Sequence, residues 1–229
     1  MKIGGLQKTS LIEYPDKLSC IVFTQGCNLR CPYCHNPQLV LPEKFLPVVS
    51  TDEVLSFLKK RIQYLQGVVI TGGEPCLQEG LADFLKQVKQ MGYCVKLDTN
   101  GTMPDVITML IEEKLVDYIA MDVKAPVEKY EILTGVRVDT KTIENSIALL
   151  KSSGIPYEFK TTVVFPLLQK DDFELIGSMI KDAKVHYLQH FVPSNVIDER
   201  CLSYPVVTDE DFNVLQQIML KYVKECYIR

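Results

Sequence analysis

Six short runs of apolar, β-branched and aromatic residues recur along the chain, and each is followed by a longer stretch of helical period. The runs are Leu18–Thr24, Gly67–Thr71, Tyr93–Thr99, Tyr118–Val123, Tyr157–Phe165 and Val185–Val192. Their length and composition predict strands. Between them lie apolar stripes at spacings of three and four: Val54, Leu58, Ile62 and Leu65, then Leu81, Phe84, Leu85, Val88 and Met91. Further stripes are Val106, Ile107, Leu110 and Ile111, then Ile143, Ile147 and Leu150, then Phe173, Ile176 and Ile180. The last runs Phe212, Leu215, Met219, Tyr222 and Cys226. Start and stop signals agree with helices. Ser50 with Glu53 reads as a capping box, Pro104 as a first helical residue, and Asp171 or Asp172 and Thr208 as caps. Gly92 and Gly154 read as stops.

A strand that returns through a helix pairs in parallel, by a right-handed crossover. The alternation therefore predicts an α/β fold with an all-parallel sheet covered by helices. Six units make either a doubly wound sheet or a barrel two units short of eight. They use up the 229 residues, so one domain over 1–229 is expected. Residues 1–17 would be an N-terminal segment packed on the body, and 18–229 the body with its C-terminal helix. A chain this long buries about 70% of its unfolded surface and needs no disulfides.

Charge and hydropathy narrow the partners. With 29 acidic and 25 basic side chains the net charge is −4, which argues against nucleic acid as the main partner. No apolar run approaches the roughly 18 residues of a membrane span. Met1-Lys2-Ile3-Gly4-Gly5 lacks the apolar stretch of a signal peptide. A cytoplasmic protein without a membrane partner is expected. In a reducing compartment, clustered cysteines more often bind metal or do chemistry than form disulfides.

Five of the eight cysteines are scattered: Cys20, Cys76, Cys94, Cys201 and Cys226. These read as small buried hydrophobes. The other three form Cys27-Asn28-Leu29-Arg30-Cys31-Pro32-Tyr33-Cys34, a C-x3-C-x2-C loop just past the first predicted strand. A cubane iron–sulfur cluster normally takes four cysteines, so three leave one iron open to a small molecule. The alternative is zinc on Cys27, Cys31, Cys34 and His35; structural zinc sites, however, usually join two ligand pairs across a spacer.

Other polar groups fall at strand ends. Thr71-Gly72-Gly73-Glu74-Pro75 follows the second run, and paired glycines allow close approach of a ligand. Asp98-Thr99-Asn100-Gly101 ends the third, and Asp122-Val123-Lys124 the fourth, with Asp122 and Lys124 on one side by the period of two. Each alone is equally an ordinary turn or a solvated ion pair. Gln189 and Phe191 share a face of the sixth run, where core edge and site are equally good readings. Together these groups share the C-terminal rim, where barrels and open α/β sheets place their active sites.

The C-x3-C-x-aromatic-C loop, with Tyr33 as the aromatic, resembles the radical S-adenosylmethionine (SAM) superfamily, as does the GGEP segment. The run from Gly4 to Val40 resembles anaerobic ribonucleoside-triphosphate reductase activating proteins, among the glycyl-radical-enzyme activases. The resemblance implies a partial (β/α)6 barrel and a [4Fe–4S] cluster held by Cys27, Cys31 and Cys34. It implies SAM on the open iron, with Tyr33 and His35 near the adenine and Gly72, Gly73 and Glu74 near the methionine amino group. Asp98, Thr99, Asn100, Asp122 and Lys124 match the segments around the SAM carboxylate, and a monovalent cation near Asp98 and Asp122 is implied with them. The implied reaction is reductive cleavage of SAM to a 5′-deoxyadenosyl radical, which makes a glycyl radical on a partner enzyme, with flavodoxin or ferredoxin as electron donor. The chain departs from the pattern in two ways. It lacks an inserted block of extra cysteines after Cys34, and it carries Gln189-His190-Phe191-Val192-Pro193 where related sequences show an arginine. Two other classes compete: a radical SAM enzyme acting on a small molecule, like 7-carboxy-7-deazaguanine synthase, and a metal-stabilised binding module without catalysis.

Overall fold

Regular structure begins earlier than the apolar pattern predicts. The structure, a computed structural model, describes residues 1–229. The backbone gathers into two compact units. The first comprises Met1–Asn28, Gln38–Thr99 and Asp105–Ile119, and the second Leu29–Pro37, Asn100–Pro104 and Ala120–Arg229.

The first unit holds β1 (Ile3–Ser10), β2 (Ser19–Thr24), α1 (Pro37–Val40), α2 (Thr51–Arg61), β3 (Gly67–Gly72), α3 (Leu81–Gln90), β4 (Cys94–Thr99) and α4 (Pro104–Glu112), apart from the leading prolines of α1 and α4. Its strands lie in the order β1-β2-β3-β4. β2, β3 and β4 pair in parallel, Ser19 opposite Gly67 and Gly67 opposite Cys94. The alternation of strand and helix forces this pairing. β1 is the exception. It pairs antiparallel with β2, Ile3 opposite Thr24 and Ser10 opposite Ser19, so the sheet is not all parallel as expected. Residues 11–18 form a short return, and an antiparallel pair needs no crossover helix. α2 starts where expected, with Ser50 Oγ accepting from the Glu53 amide at 3.1 Å. Its stripe ends with the helix, and Ile62 lies just beyond, exposed.

The second unit holds most of β5 (Tyr118–Asp122), with α5 (Tyr130–Thr134), α6 (Thr140–Ser152), β6 (Tyr157–Val163), α7 (Lys170–Met179), β7 (Val185–His190), α8 (Asp209–Met219) and β8 (Glu225–Ile228). Its strands follow the order β5-β6-β7-β8, with β6, β7 and β8 parallel. Two sequence expectations are corrected here. The last helix stops at Met219, and Cys226 lies in β8, paired with His186 of β7, rather than on the helical stripe. The Lys224 amide donates to the Ala183 carbonyl at 2.9 Å, so an open sheet edge captures the tail. The cap of α7 is Gln169; Asp172 sits inside the first turn and accepts from the Gln169 amide at 2.6 Å.

Each unit buries its own apolar faces. In the first, Val22, Val68, Ile70, Val95 and Leu97 are buried along with Val54, Leu58, Phe84, Leu85 and Val88 at helical spacing, while Ile21 and Val69, on the opposite strand face, cluster with Tyr14. In the second, Phe159, Val163 and Leu188 are buried along with Ile147, Phe173, Ile176, Phe212 and Leu215. Strand ends carry the polar motifs: in the first unit Gly72 ends β3 and Asp98 and Thr99 end β4, and in the second Asp122 ends β5. No helix is long and apolar enough to cross a membrane.

Candidate functional site

In the first unit the ends of β2 and β3 are laced together through glycines. Gly73 N donates to Thr24 O at 2.9 Å, Glu74 N to Gly26 O at 2.8 Å, and Gly26 N to Leu39 O at 2.7 Å. Gly72 has φ +118°, a left-handed conformation that strains any other residue. A Cβ at Gly73 would collide with the Gly26 carbonyl oxygen and stand 2.6 Å from its carbon. Cys27 follows directly on this lacing and is half-buried.

Glu74 is fully buried. Its Oε1 accepts from the Cys76 amide at 2.9 Å and from the Thr99 hydroxyl at 2.8 Å, so it fixes the GGEP turn to the end of β4. Burial, reinforced by Glu74, drives the Cys76 thiol far above its ordinary value, which keeps it protonated and inert. Asp98 is buried and ion-paired with Lys96, Nζ to Oδ1 at 3.3 Å.

In the second unit the cysteine loop is pinned by its neighbours. Arg30 N donates to Thr134 O at 2.7 Å, at the end of α5, and Asp198 N donates to Pro32 O at 2.9 Å. Cys34 N donates to Cys31 O at 3.0 Å, closing a turn that carries both thiols. Burial raises the Cys34 thiol above its ordinary value. The two residues expected near adenine meet on Phe191. His35 stacks on that ring at 5.2 Å with planes 6° apart, and Tyr33 meets it edge-on at 6.3 Å. Burial lowers the His35 pKa, partly offset by a hydrogen bond to the Val192 backbone. Its Nε2 is buried with no hydrogen-bond partner.

Asp122 and Lys124 do share a side, as the strand period predicts, with Nζ 3.2 Å from Oδ2. Lys160 of β6 approaches the other oxygen of Asp122 at 3.8 Å. Burial alone would pull the Lys124 ammonium down. Asp122, then Cys31, Tyr33 and Tyr130, outweigh it and hold Lys124 well above the ordinary lysine range, so it stays charged. Its amide donates to the Tyr130 hydroxyl at 3.3 Å. Asn100 forms a turn, as one of its two readings has it: Oδ1 accepts from the Thr102 amide at 3.0 Å and hydroxyl at 2.7 Å.

Lys96 in the first unit, and Lys160 and Tyr130 in the second, are charged or polar residues that belong to none of the motifs. Lys96 was legible in one respect, since it precedes Asp98 by two and shares its strand face. Lys160 and Tyr130 carry no local signal and are brought in by folding.

The donor set suits a cubane cluster. Three thiols lie in one loop and none of the eight cysteines is in a disulfide. A cubane takes one thiolate on each of several irons, so three thiols of one loop can hold it with one iron left open. The implied monovalent cation does not suit the carboxylates offered to it. Asp98 already faces Lys96, and Asp122 faces Lys124 and Lys160.

A parallel α/β fold and a three-cysteine loop past the first crossover strand define a class, and comparison with known proteins agrees. The sequence profile of the radical SAM superfamily matches residues 21–180, well over half of the chain. The chain belongs to the radical SAM superfamily of enzymes, whose cofactors are a [4Fe–4S] cluster and SAM. It is 34% identical over 232 residues to a candidate glycyl-radical enzyme activating enzyme of Methanocaldococcus jannaschii, covering 99% of this chain and 95% of that one. It is 27% identical over 239 residues to a pyruvate formate-lyase-activating enzyme of Clostridium pasteurianum, covering 98% and 97%. Among solved structures, SuiB of Streptococcus suis bound to SAM shares the fold, with a TM-score of 0.71 at 12% identity over 91% of this chain and 49% of that one. A domain of pyruvate-formate lyase-activating enzyme from Bacteroides vulgatus shares it too, with a TM-score of 0.58 at 17% identity over 71% and 98%. The solved relatives are partial barrels of the kind expected.

Proposed function

We propose that this chain is a glycyl-radical-enzyme activase whose substrate is another protein, with anaerobic ribonucleoside-triphosphate reductase as the partner suggested by its N-terminal run. The observation that carries the reading is the match to a candidate activating enzyme over 99% of this chain and 95% of that one. The likeness to a 7-carboxy-7-deazaguanine synthase covers only 44% of the chain and does not favour the small-molecule reading.

Cys27, Cys31 and Cys34 would hold the cluster, leaving one iron for SAM. The chemistry supplied there is one-electron reduction of the SAM sulfonium, splitting the S–C5′ bond into methionine and a 5′-deoxyadenosyl radical that takes hydrogen from a glycine Cα. This chain's own residues bind and orient. Lys124, held charged, offsets the SAM carboxylate; a buried carboxylate is costly without such a partner. Gly72 and Gly73 bring bare backbone to the methionine amino group beside Glu74, and Thr99 holds Glu74 in place. Tyr33 and His35, backed by Phe191, give the adenine a flat apolar wall, and Asp98, Asn100 and Asp122 complete the carboxylate side. The electron would come from a flavodoxin or ferredoxin.

The test is anaerobic incubation of the reconstituted protein with SAM, a reductant and purified candidate partners. A glycyl doublet by electron paramagnetic resonance on one partner is expected. SAM cleavage with no protein radical on any of them points instead to a small-molecule substrate.

A further inference from the structure

We infer that Lys96 is a built-in counter-cation for Asp98, so that SAM binding by this chain does not depend on a monovalent metal ion. The inference rests on the reading that Asp98 lies on the SAM carboxylate side. Lys96 and Asp98 are two apart on β4 and so share a face. The Lys96 side chain is 1% exposed and that of Asp98 10%. An ammonium so buried is costly unless partners replace water. Three are present: Asp98 Oδ1 at 3.3 Å, the Glu13 carbonyl at 2.6 Å and the Tyr118 ring face at 5.8 Å.

That arrangement resembles a cation site, with a carboxylate, a backbone carbonyl and a π-face around one positive charge. An ammonium is close in size to a potassium ion and is covalently tethered, so its presence does not depend on the salt in solution. A second cation beside Asp98 would be repelled by it at short range. In the second unit Asp122 is likewise answered by Lys124 and Lys160. Each carboxylate implied as a cation ligand has its positive partner in the sequence.

The test measures SAM affinity of anaerobically reconstituted protein in potassium, sodium and tetramethylammonium chloride at one ionic strength. For the unaltered chain the three dissociation constants are expected within twofold. Lys96→Met is expected to bind SAM at least tenfold more weakly in tetramethylammonium and to recover most of that loss in potassium, a rescue that simple loss of packing does not produce. A tenfold gain from potassium in the unaltered chain overturns the inference, and this arm needs no variant should Lys96→Met fail to fold. So does a Lys96→Met protein that binds SAM as tightly as the unaltered chain in tetramethylammonium. Failure of the unaltered chain to bind SAM in any salt overturns the placement of Asp98 at SAM, and the functional reading with it.

Discussion

Gly73→Ala places a methyl group where the backbone of the neighbouring strand end already lies. Its Cβ would stand 2.6 Å from the Gly26 carbonyl carbon, closer still to the oxygen, and 3.1 Å from Leu39 O. Carbon atoms pack at roughly 3.5–4.0 Å, so the strand ends must part by about 1 Å. The neighbours are main chain and cannot rotate away. Parting by that amount stretches the Glu74 N to Gly26 O bond from 2.8 Å to beyond hydrogen-bonding range and strains Gly26 N to Leu39 O at 2.7 Å. Overpacking costs about 1–3 kcal/mol and each lost bond about 0.5–1.5 kcal/mol, so the expected loss is roughly 2–5 kcal/mol. Urea unfolding reads it as a midpoint lowered by about 1 M or more. SAM affinity of the reconstituted protein should fall at least tenfold, because Glu74 moves with the turn. Gly5→Ala is the control: its Cβ would meet only Phe23, at 3.7 Å or more, and should shift the midpoint by little. A Gly73→Ala protein with wild-type midpoint and wild-type SAM affinity would refute the close approach on which this reasoning depends.

Other perturbations separate the remaining roles. Lys124→Ala should weaken SAM binding about tenfold or more, the scale of one charge-assisted bond, while the cluster's visible absorption is retained; unchanged affinity removes Lys124 from the carboxylate side. His186 is buried, with Nε2 3.0 Å from the Thr161 hydroxyl, and burial lowers its pKa from 6.5 to about 3. It folds neutral, so its contribution is fully present above pH 6.5 and is lost as pH falls towards 3, at up to about 1.4 kcal/mol per unit. The urea midpoint should therefore decline between pH 6.5 and 5 in the unaltered chain and decline less in His186→Gln; parallel curves count against this. Phe191→Ala should cost roughly 3 kcal/mol and free the His35 ring, read as sharper tumbling of its imidazole signals in the apoprotein; an unchanged midpoint would mean the stack on His35 bears no load.

What the sequence revealed of this fold depended on how far apart in the chain the partners lie. The central strands are apolar because helices cover them, so their composition betrays them, and the chemistry is legible for a related reason. The C-x3-C-x2-C loop, GGEP and D-x-K are each made by neighbours within a few residues, and so is the pairing of Asp122 with Lys124. The edge strands escaped notice because an edge need not be apolar. β1 contains Gly4, Gly5, Gln7 and Lys8, poor strand formers with one side open, and is a strand only because β2 lies beside it. β8 was hidden by coincidence of period: Cys226 falls seven residues after Met219, as a helix would place it, but no local stop marks the turn at 220–224 and only the free edge of β7 decides the outcome. The electrostatics follow the same division. Lys96 next to Asp98 could be found by counting two along a strand, since a lysine amid Val95 and Leu97 must have a partner to be buried there. Lys160 beside Asp122, and Phe191 beneath His35, join residues some 38 and 156 positions apart in the chain, and no spacing rule reaches that far. Motifs thus name the atoms that do chemistry, while the groups that set their charge and hold them in place come largely from tertiary structure, which is why a cation implied by the motifs finds lysines already opposite its carboxylates.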